Sequence, residues 1–116
     1  MKQNEFTAAC AQQLTRQGYG EVEVKTDEAV MAVDADGCRV CFRCVSAGWG
    51  RVGEIEVEET VQLMRYYGAD RGAILTDGRF TLGAKLRAKQ EGNITLTARL
   101  DVRPDGGKKE DYEALL

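Results

Sequence analysis

A turn dipeptide, Asp36-Gly37, organises the first half of this sequence. Asp-Gly readily adopts the positive φ angles of a two-residue hairpin turn, and it stands between two apolar runs at residues 29–35 and 38–45. We therefore predict an antiparallel pair of strands over these residues. Residues 21–25 alternate strictly between polar and apolar side chains, which predicts a preceding strand with one buried face.

Helical patterns separate the other predicted elements. Apolar side chains recur every three or four residues between Asn4, a candidate N-cap, and Gly18. A second helix is predicted at residues 54–68, although 53–57 also alternates like a strand, because a glutamate-rich first turn suits the positive end of the helix dipole. We expect the glutamates to form a solvated helix face: Glu54, Glu56, Glu58 and Glu59. A third helix is predicted after the N-cap Thr81.

Two further strands complete the predicted order. Short apolar runs at residues 72–76 and 93–98 have strand character, and glycine-rich or polar segments at 46–53 and 77–79 are predicted to be a loop and a turn. The order is thus α-β-β-β-α-β-α-β. The first strands are predicted to pair antiparallel, and two strand-helix-strand crossovers follow them. A mixed α/β sheet with helices packed on its faces is the fold that buries the apolar side chains of these elements.

The length of the chain and its polar first residues limit the class of protein to which it can belong. A chain of 116 residues suffices for one domain, which we place at residues 1–100, followed by a polar linker and a short C-terminal helix at 101–116. The longest strictly apolar run, residues 29–33, is far shorter than the roughly 20 residues that span a bilayer. The first residues lack the apolar stretch of a signal peptide. We therefore expect a cytoplasmic protein with no membrane partner.

The residue types exclude several chemistries. The sequence has no histidine, which rules out Ser-His and Cys-His catalysis and histidine-containing zinc sites. The spacing of Cys38, Cys41 and Cys44 raises the alternative of a zinc or iron–sulfur site. On a strand, however, the outer two would lie roughly 20 Å apart and Cys41 would point to the opposite face. We therefore expect reduced, core-packing thiols and no bound metal.

A more specific pattern lies at residues 68–81, GADRGAILTDGRFT. Together with residues 6–19, the hairpin strands and Val52-Gly53, this segment resembles the Mrr-type restriction endonuclease domain of the PD-(D/E)xK nuclease superfamily. The resemblance covers roughly residues 3 to 100. It implies a restriction-endonuclease-like α/β core and hydrolysis of DNA phosphodiesters at a divalent metal ion.

The same resemblance implies three active-site positions that this sequence does not preserve. The family carries an aspartate on the second strand, and a Gln or Glu followed two residues later by Lys on the third. Anchored on the hairpin turn, these positions fall on Val30, Arg43 and Val45. Arg43 would put a permanent cation where a divalent metal needs an anion or a carbonyl. The sequence therefore favours a catalytically inactive restriction-endonuclease-like module that binds nucleic acid or a partner protein, without a cofactor.

The alternative is an active magnesium-dependent DNA endonuclease whose carboxylates have migrated. Candidate carboxylates are Glu5 on the first helix, Asp27 or Glu28 just before the second strand, and Asp34 further along that strand. By strand alternation Glu28 shares the face of Val30. No lysine lies on the third strand to accompany them.

Two kinds of partner surface follow from the sequence. The candidate nucleic-acid or partner surface consists of Arg39, Arg43, Trp49, Arg51 and Arg79, and its alternative is ordinary solvated charge in a chain of net charge -3. The strand at residues 93–98 is uncharged and rich in β-branched side chains, so an open sheet edge is expected there. Such an edge favours a homodimer with two-fold symmetry.

Overall fold

The protein is built on one mixed five-stranded sheet and a separate two-stranded sheet. The structure, a computed structural model, describes residues 2–48 and 50–98. Its helices are α1 (Gln3–Arg16), α2 (Glu54–Tyr67) and α3 (Leu82–Glu91). Its strands are β1 (Gly20–Val24), β2 (Ala29–Val33), β3 (Arg39–Val45), β4 (Arg51–Val52), β5 (Arg71–Thr76), β6 (Arg79–Phe80) and β7 (Ile94–Ala98).

The strand order confirms the predicted α/β fold. The large sheet has the order β1-β2-β3-β5-β7, in which β1, β2 and β3 pair antiparallel and β3, β5 and β7 pair parallel. The prediction of a plain loop at residues 46–53 and a plain turn at 77–79 was wrong. Each segment contributes a two-residue strand, and β4 pairs parallel with β6. Two residues carry too little periodicity to be recognised in a sequence.

The predicted hairpin is present between β2 and β3. Gly37 has a φ angle of 83°, which its lack of a side chain permits. The Asp34 carboxylate accepts hydrogen bonds from the backbone N–H groups of Asp36 and Cys38, both at 2.9 Å. These bonds close the turn, so β2 ends at Val33 rather than at Ala35.

The first strand and the first helix differ from the prediction in detail. No residue of β1 is buried, and Val24 is 54% exposed, because β1 is an edge strand whose register is interrupted between Gly20 and Glu23. Alternation therefore did not produce a buried face. Asn4 is not the N-cap of α1. The N-cap is Lys2, two residues earlier, and the Glu5 side chain accepts the backbone N–H of Lys2.

The other two helices begin and end as predicted. The Thr81 hydroxyl accepts the backbone N–H of Ala84 at 3.1 Å and caps α3. Helix α2 starts after Gly53, whose N–H donates to the Glu56 carboxylate at 2.7 Å. Both helices end at a glycine in the left-handed conformation, Gly68 and Gly92.

The sheet buries apolar side chains on both of its faces. On one face α1 packs with Phe6, Cys10 and Leu14 against the sheet, in a layer we call the α1 side. On the other face α2 and α3 pack with Val57 and Ala84 among others, in a layer we call the α2–α3 side. The mixed sheet is thus flanked by helices, as the sequence predicts.

Two sequence expectations concern other parts of the chain. The linker and C-terminal helix expected at residues 101–116 lie outside the described residues. Among the helices that the structure describes, none has both the length and the apolar character needed to cross a membrane.

Candidate functional site

Several of the residues singled out by the sequence, including Glu28, Arg43 and Val45, lie at one end of the large sheet. Because β2 and β3 are antiparallel, the start of β2 lies beside the end of β3, and Ala29 is directly opposite Arg43. Strand β5 is parallel to β3, so Thr76 ends beside Val45 at the same end. Short loops lead from the end of β3 to β4 and from the end of β5 to β6. We call this end the β3 end.

Arg43 occupies the centre of an ion-pair cluster at the β3 end. Its residue exposure is only 7%, and its guanidinium contacts carboxylates from two different elements. One terminal nitrogen lies 2.8 Å from Oε2 of Glu28, the residue before β2, and the other lies 2.5 Å from Oε1 of Glu59 on α2. The second nitrogen also lies 3.4 Å from the carbonyl oxygen of Glu56. We call these residues the Arg43 cluster.

Arg43 stays charged in this position. Burial lowers the pKa of Arg43, but hydrogen bonds and charge interactions with Glu59 and Glu28 outweigh it, and the pKa is raised above its ordinary value. The guanidinium is therefore a permanent cation whose charge two carboxylates compensate. Its Nε has no hydrogen-bond partner among the described residues.

Val30 and its neighbour Ala29 lie on opposite faces of the sheet, and the assignment of the family's aspartate position to Val30 stays a prediction. Val30 lies on the α1 side, packed in the core with Phe6, whereas Arg43 points to α2. The residue that shares the Arg43 face on β2 is Ala29. The Asp36-Gly37 turn alone does not determine which of these two residues faces Arg43, because β2 ends at Val33 and β3 begins only at Arg39. Neither Ala29 nor Val30 carries an oxygen ligand, so the β2 position holds no metal-binding group.

The structure also tests whether a divalent metal ion fits the described residues. Val45 has no amine to place beside an attacking water, and its carbonyl oxygen accepts the Thr76 hydroxyl at 2.7 Å. The Glu28 and Glu59 carboxylates already share a cation, the Arg43 guanidinium. Within residues 2–48 and 50–98, no group of three or more His, Cys, Asp or Glu side chains is arranged to hold a metal ion. A metal ion of the family's kind does not fit here.

Among the described residues, the candidate migrated carboxylates do not form a group of three or more that could hold a metal ion. Glu5 is exposed on α1 and accepts the backbone N–H of Lys2. Asp34 lies at the hairpin, at the opposite end of β2 from Glu28, where it pairs with Arg71. Hydrogen bonding from Cys38 N–H, together with Asp36 N–H and Arg71, lowers the pKa of Asp34 against the opposing effect of desolvation.

Glu28 is the migrated candidate that forms an ion pair with Arg43, and it contacts Arg43 rather than packing with Val30. The expectation that Glu28 shares the face of Val30 was wrong, because Glu28 precedes the first residue of β2 and strand alternation does not extend to it. Asp27 contributes its backbone carbonyl, which accepts hydrogen bonds from the side chains of Gln3 and Thr7.

The predicted arginine surface divides into separate regions. Arg39 stands at the start of β3, roughly 20 Å from its end, and Arg43 is buried in its cluster. Arg51 and Arg79 lie directly opposite each other as partners in the two-stranded sheet, and both are exposed. No carboxylate among the described residues forms an ion pair with either of them. Trp49 lies outside the described residues.

The loops that position Arg51 and Arg79 are held together by polar contacts. The Asp77 carboxylate accepts the backbone N–H groups of Ala47 at 2.7 Å and Gly48 at 2.9 Å. A Cβ atom at Gly78 would lie 2.6 Å from the Gly50 carbonyl oxygen, so a glycine is required where the two loops meet. The β4–β6 pair is thereby fixed at the β3 end.

Sequence reasoning missed two functional contacts at this end. Gln3 on α1 donates to the carbonyl of Cys44 at 2.7 Å and accepts the N–H of Ser46 at 2.9 Å. Glu59 on α2 forms an ion pair with Arg43, whereas the sequence predicts for it only a place on a solvated helix face. The sequence contains no signal for Gln3, whereas the unbalanced charge of Arg43 within an apolar strand was a signal that a distant carboxylate must reach it.

The cysteines are distributed as the strand geometry predicts. Cys41 lies on the α2–α3 side, and Cys44 lies on the α1 side near Cys10. Burial raises the pKa of Cys41 to about 11. A hydrogen bond with Cys10, together with burial, raises the pKa of Cys44 far above its ordinary value. Both thiols are therefore core side chains, and the absence of a bound metal or cluster stays a prediction.

Comparison with known proteins gives matches to one fold. The sequence model of the Mrr catalytic domain, described as a restriction endonuclease, matches residues 1–103. No curated protein matches the chain. The structure of EndoMS in its apo form matches with a TM-score of 0.60 and 20% identity, covering 84% of this chain and 47% of EndoMS.

Two further solved structures share the fold. A repair endonuclease from Pyrococcus abyssi has a TM-score of 0.57 and 20% identity, with 85% of this chain and 47% of that protein covered. The crystal structure of AF1548, a protein of unknown function, has a TM-score of 0.63 and 21% identity, and the match covers 84% of this chain and 58% of AF1548. This chain therefore spans about half the length of these structures. At this level of identity the likeness shows the fold alone.

Proposed function

This chain belongs to the Mrr-type restriction endonuclease family, and on that premise we propose that it is a catalytically inactive module that binds DNA without cleaving it. The proposal includes a cytoplasmic location, in which the four cysteines remain reduced. It requires no metal ion or other cofactor.

The pairing of Arg51 with Arg79 is the observation that carries DNA binding. Adjacent strands lie about 4.8 Å apart, so two like charges directly opposite each other repel and disfavour the pairing. An anion beside both guanidiniums relieves this repulsion, and a phosphate accepts forked hydrogen bonds from arginine. The pair also lies at the β3 end, as do Arg43 and Val45, two of the active-site positions that the family resemblance implies. A backbone phosphate is therefore the ligand that this pair fits best.

The residues at the three family positions support the absence of cleavage. Ala29 and Val30 provide no metal ligand, Arg43 provides a cation, and Val45 provides no amine. Phosphodiester hydrolysis in this superfamily depends on a metal ion that activates water and neutralises charge at phosphorus. Without those groups, the β3 end can hold a phosphate but cannot assist its hydrolysis.

A mobility-shift titration with duplex DNA tests the binding proposal. We expect the wild-type chain to bind in the presence of EDTA, and the double variant R51A/R79A to bind more weakly, with a salt-dependence slope smaller by about 2. The matched control R39A/R65A removes two exposed arginines from the opposite end of the sheet, so its affinity should stay close to that of the wild type. Equal losses in both double variants would contradict a specific site at Arg51 and Arg79.

A plasmid-nicking assay with Mg²⁺ and Mn²⁺ tests the absence of cleavage. We expect no nicking by the wild-type chain. Metal-dependent nicking that disappears in Glu28→Ala would establish the alternative function, an endonuclease with a migrated carboxylate, because Glu28 is the migrated candidate that forms an ion pair with Arg43.

We also propose that two copies of the chain associate through β7. Within residues 2–48 and 50–98 this strand pairs with β5 alone and forms one edge of the large sheet. An edge strand presents unpaired N–H and C=O groups that a second copy can satisfy. A two-fold arrangement would join the same strand of both copies.

A further inference from the structure

Helix α3 carries two exposed leucines that lie one turn apart. Leu82 is 71% exposed and Leu86 is 54% exposed, and their i, i+4 spacing places them on one face of the helix. Among the described residues, the other exposed large apolar side chains, Val24, Ile55 and Tyr66, are not spaced in this way. Neighbouring leucines form one continuous apolar patch, whereas an apolar side chain that is exposed singly needs no partner. We call these two residues the leucine pair.

Two lysines flank the leucine pair. Lys85 and Lys89 each follow one of the leucines by three residues, so they form the neighbouring row on the surface of α3. Within the part of the chain that the structure describes, neither lysine forms an ion pair. Arg87 contacts α2, and residues two positions from it lie on the opposite side of a helix, so both lysines face away from α2. This surface therefore fits a partner with apolar and acidic side chains.

The chain leaves the described structure beside this surface. Ala98, the last residue of β7, pairs with Thr76 at the β3 end, which is where α3 begins. Helix α2 packs on β3 and β5, and α3 packs on β7, so successive helices lie progressively closer to the β7 edge of the sheet. A following segment that continues this progression would lie beside α3, on the side that faces away from α2.

The sequence after β7 contains a segment of matching chemistry. Residues 110–116, EDYEALL, have three acidic side chains and no Lys or Arg, and their apolar residues Tyr112, Leu115 and Leu116 recur at helical spacing. We propose that residues 110–116 dock on α3 of their own chain. In this arrangement their apolar side chains cover the leucine pair, and their carboxylates lie beside the two lysines.

The connection between β7 and this segment is long enough for the contact. Residues 99–109 can extend to roughly 36 Å, whereas the ten residues of α3 are about 15 Å long. A tether of this length holds the segment at an effective concentration on the order of millimolar, so a contact too weak to form between separate molecules is populated within one chain. The proposal goes beyond DNA binding and does not depend on it.

Methyl NMR of the full wild-type chain tests the docking directly. We expect nuclear Overhauser contacts between the methyl groups of the leucine pair and those of Leu115 and Leu116. Absence of these contacts would overturn the proposal. A leucine pair that instead contacts a second copy of the chain, in contacts that disappear on dilution, would overturn it as well.

Two double variants separate docking from a general effect on folding. L82Q/L86Q changes side chains that are exposed, so the chain should fold, and amide exchange in residues 110–116 should become at least about tenfold faster than in the wild type. The matched control I55Q/Y66Q replaces two exposed apolar side chains of α2 and should leave that rate unchanged. Equal exchange rates in the two variants would contradict docking on α3.

A charge reversal tests the contribution of the lysines. K85E/K89E should release the segment, because its carboxylates then face like charges, and adding E110K/E113K to the same chain should restore slow exchange. A quadruple variant that exchanges as fast as K85E/K89E would overturn the role of the lysines in docking. None of the changed residues takes part in the proposed DNA contacts, so the mobility-shift test of DNA binding succeeds or fails separately.

Discussion

The two sides of the Arg43 cluster are expected to contribute unequally to stability. Truncating both carboxylates in the double variant E28A/E59A removes both ion-pair partners of the Arg43 side chain, which is 9% exposed in the wild type, and leaves a backbone carbonyl at 3.4 Å as the partner of its guanidinium. Truncating the cation in R43M leaves two glutamates that are each about half exposed, at 48% and 49%. The same two ion pairs are broken in both variants, but only the first leaves a buried charge without compensation.

The magnitudes follow from burial. Breaking a buried pair so that a charge remains unpaired costs about 3 kcal/mol at the lower end, which suits a cluster whose carboxylates reach solvent. Replacing the buried cation with an apolar side chain of similar length is expected to change the free energy of unfolding by about 1 kcal/mol or less. We therefore expect E28A/E59A to be less stable than R43M by about 2 kcal/mol.

Urea denaturation followed by circular dichroism measures this difference. The control E54A/E58A removes two glutamates from the same helix that pair with the more exposed Arg87, and it should lose much less stability than E28A/E59A. If R43M were as unstable as E28A/E59A, the guanidinium would be stabilising in its own right and the reasoning from desolvation would be refuted.

Three further outcomes are expected. At pH 8 the native chain should react with Ellman's reagent at one thiol, Cys38, because the other three cysteines are buried and burial raises the pKa of Cys41 to about 11; rapid reaction of more than one thiol without denaturant would contradict the described core. The pKa of Asp34 is lowered from 3.8, so its contribution to stability is present above that pH and is lost as the pH falls through the lowered folded-state pKa. Asp34→Asn should thus be less stable than the wild type near neutral pH and lose less stability in acid, as thermal melts between pH 2 and pH 7 would measure; parallel acid profiles of the two proteins would argue against this role. Sedimentation at micromolar concentration should give a dimer mass, and a monomer mass that does not change on deletion of residues 102–116 would show that the β7 edge is covered within one chain.

Local patterns were sufficient to identify most elements of the fold. The Asp36-Gly37 turn, the Thr81 cap and the closing glycines predicted the hairpin and the starts and ends of helices. These signals work because a turn or a cap depends on the φ preferences and side-chain oxygens of residues within a few positions of each other. That the family's active-site positions fall on Arg43 and Val45 stays a prediction from the resemblance.

Contacts between distant segments were decided by the tertiary structure. Register placed Ala29, rather than Val30, on the face of Arg43, because a shift of one residue exchanges the two faces of a strand. Packing of α2 against the sheet brought Glu59 to Arg43, and two-residue strands too short to show any periodicity brought Arg51 beside Arg79. The sequence determined that a buried cation needs carboxylate partners, and only the packing of whole elements determined which carboxylates could reach it.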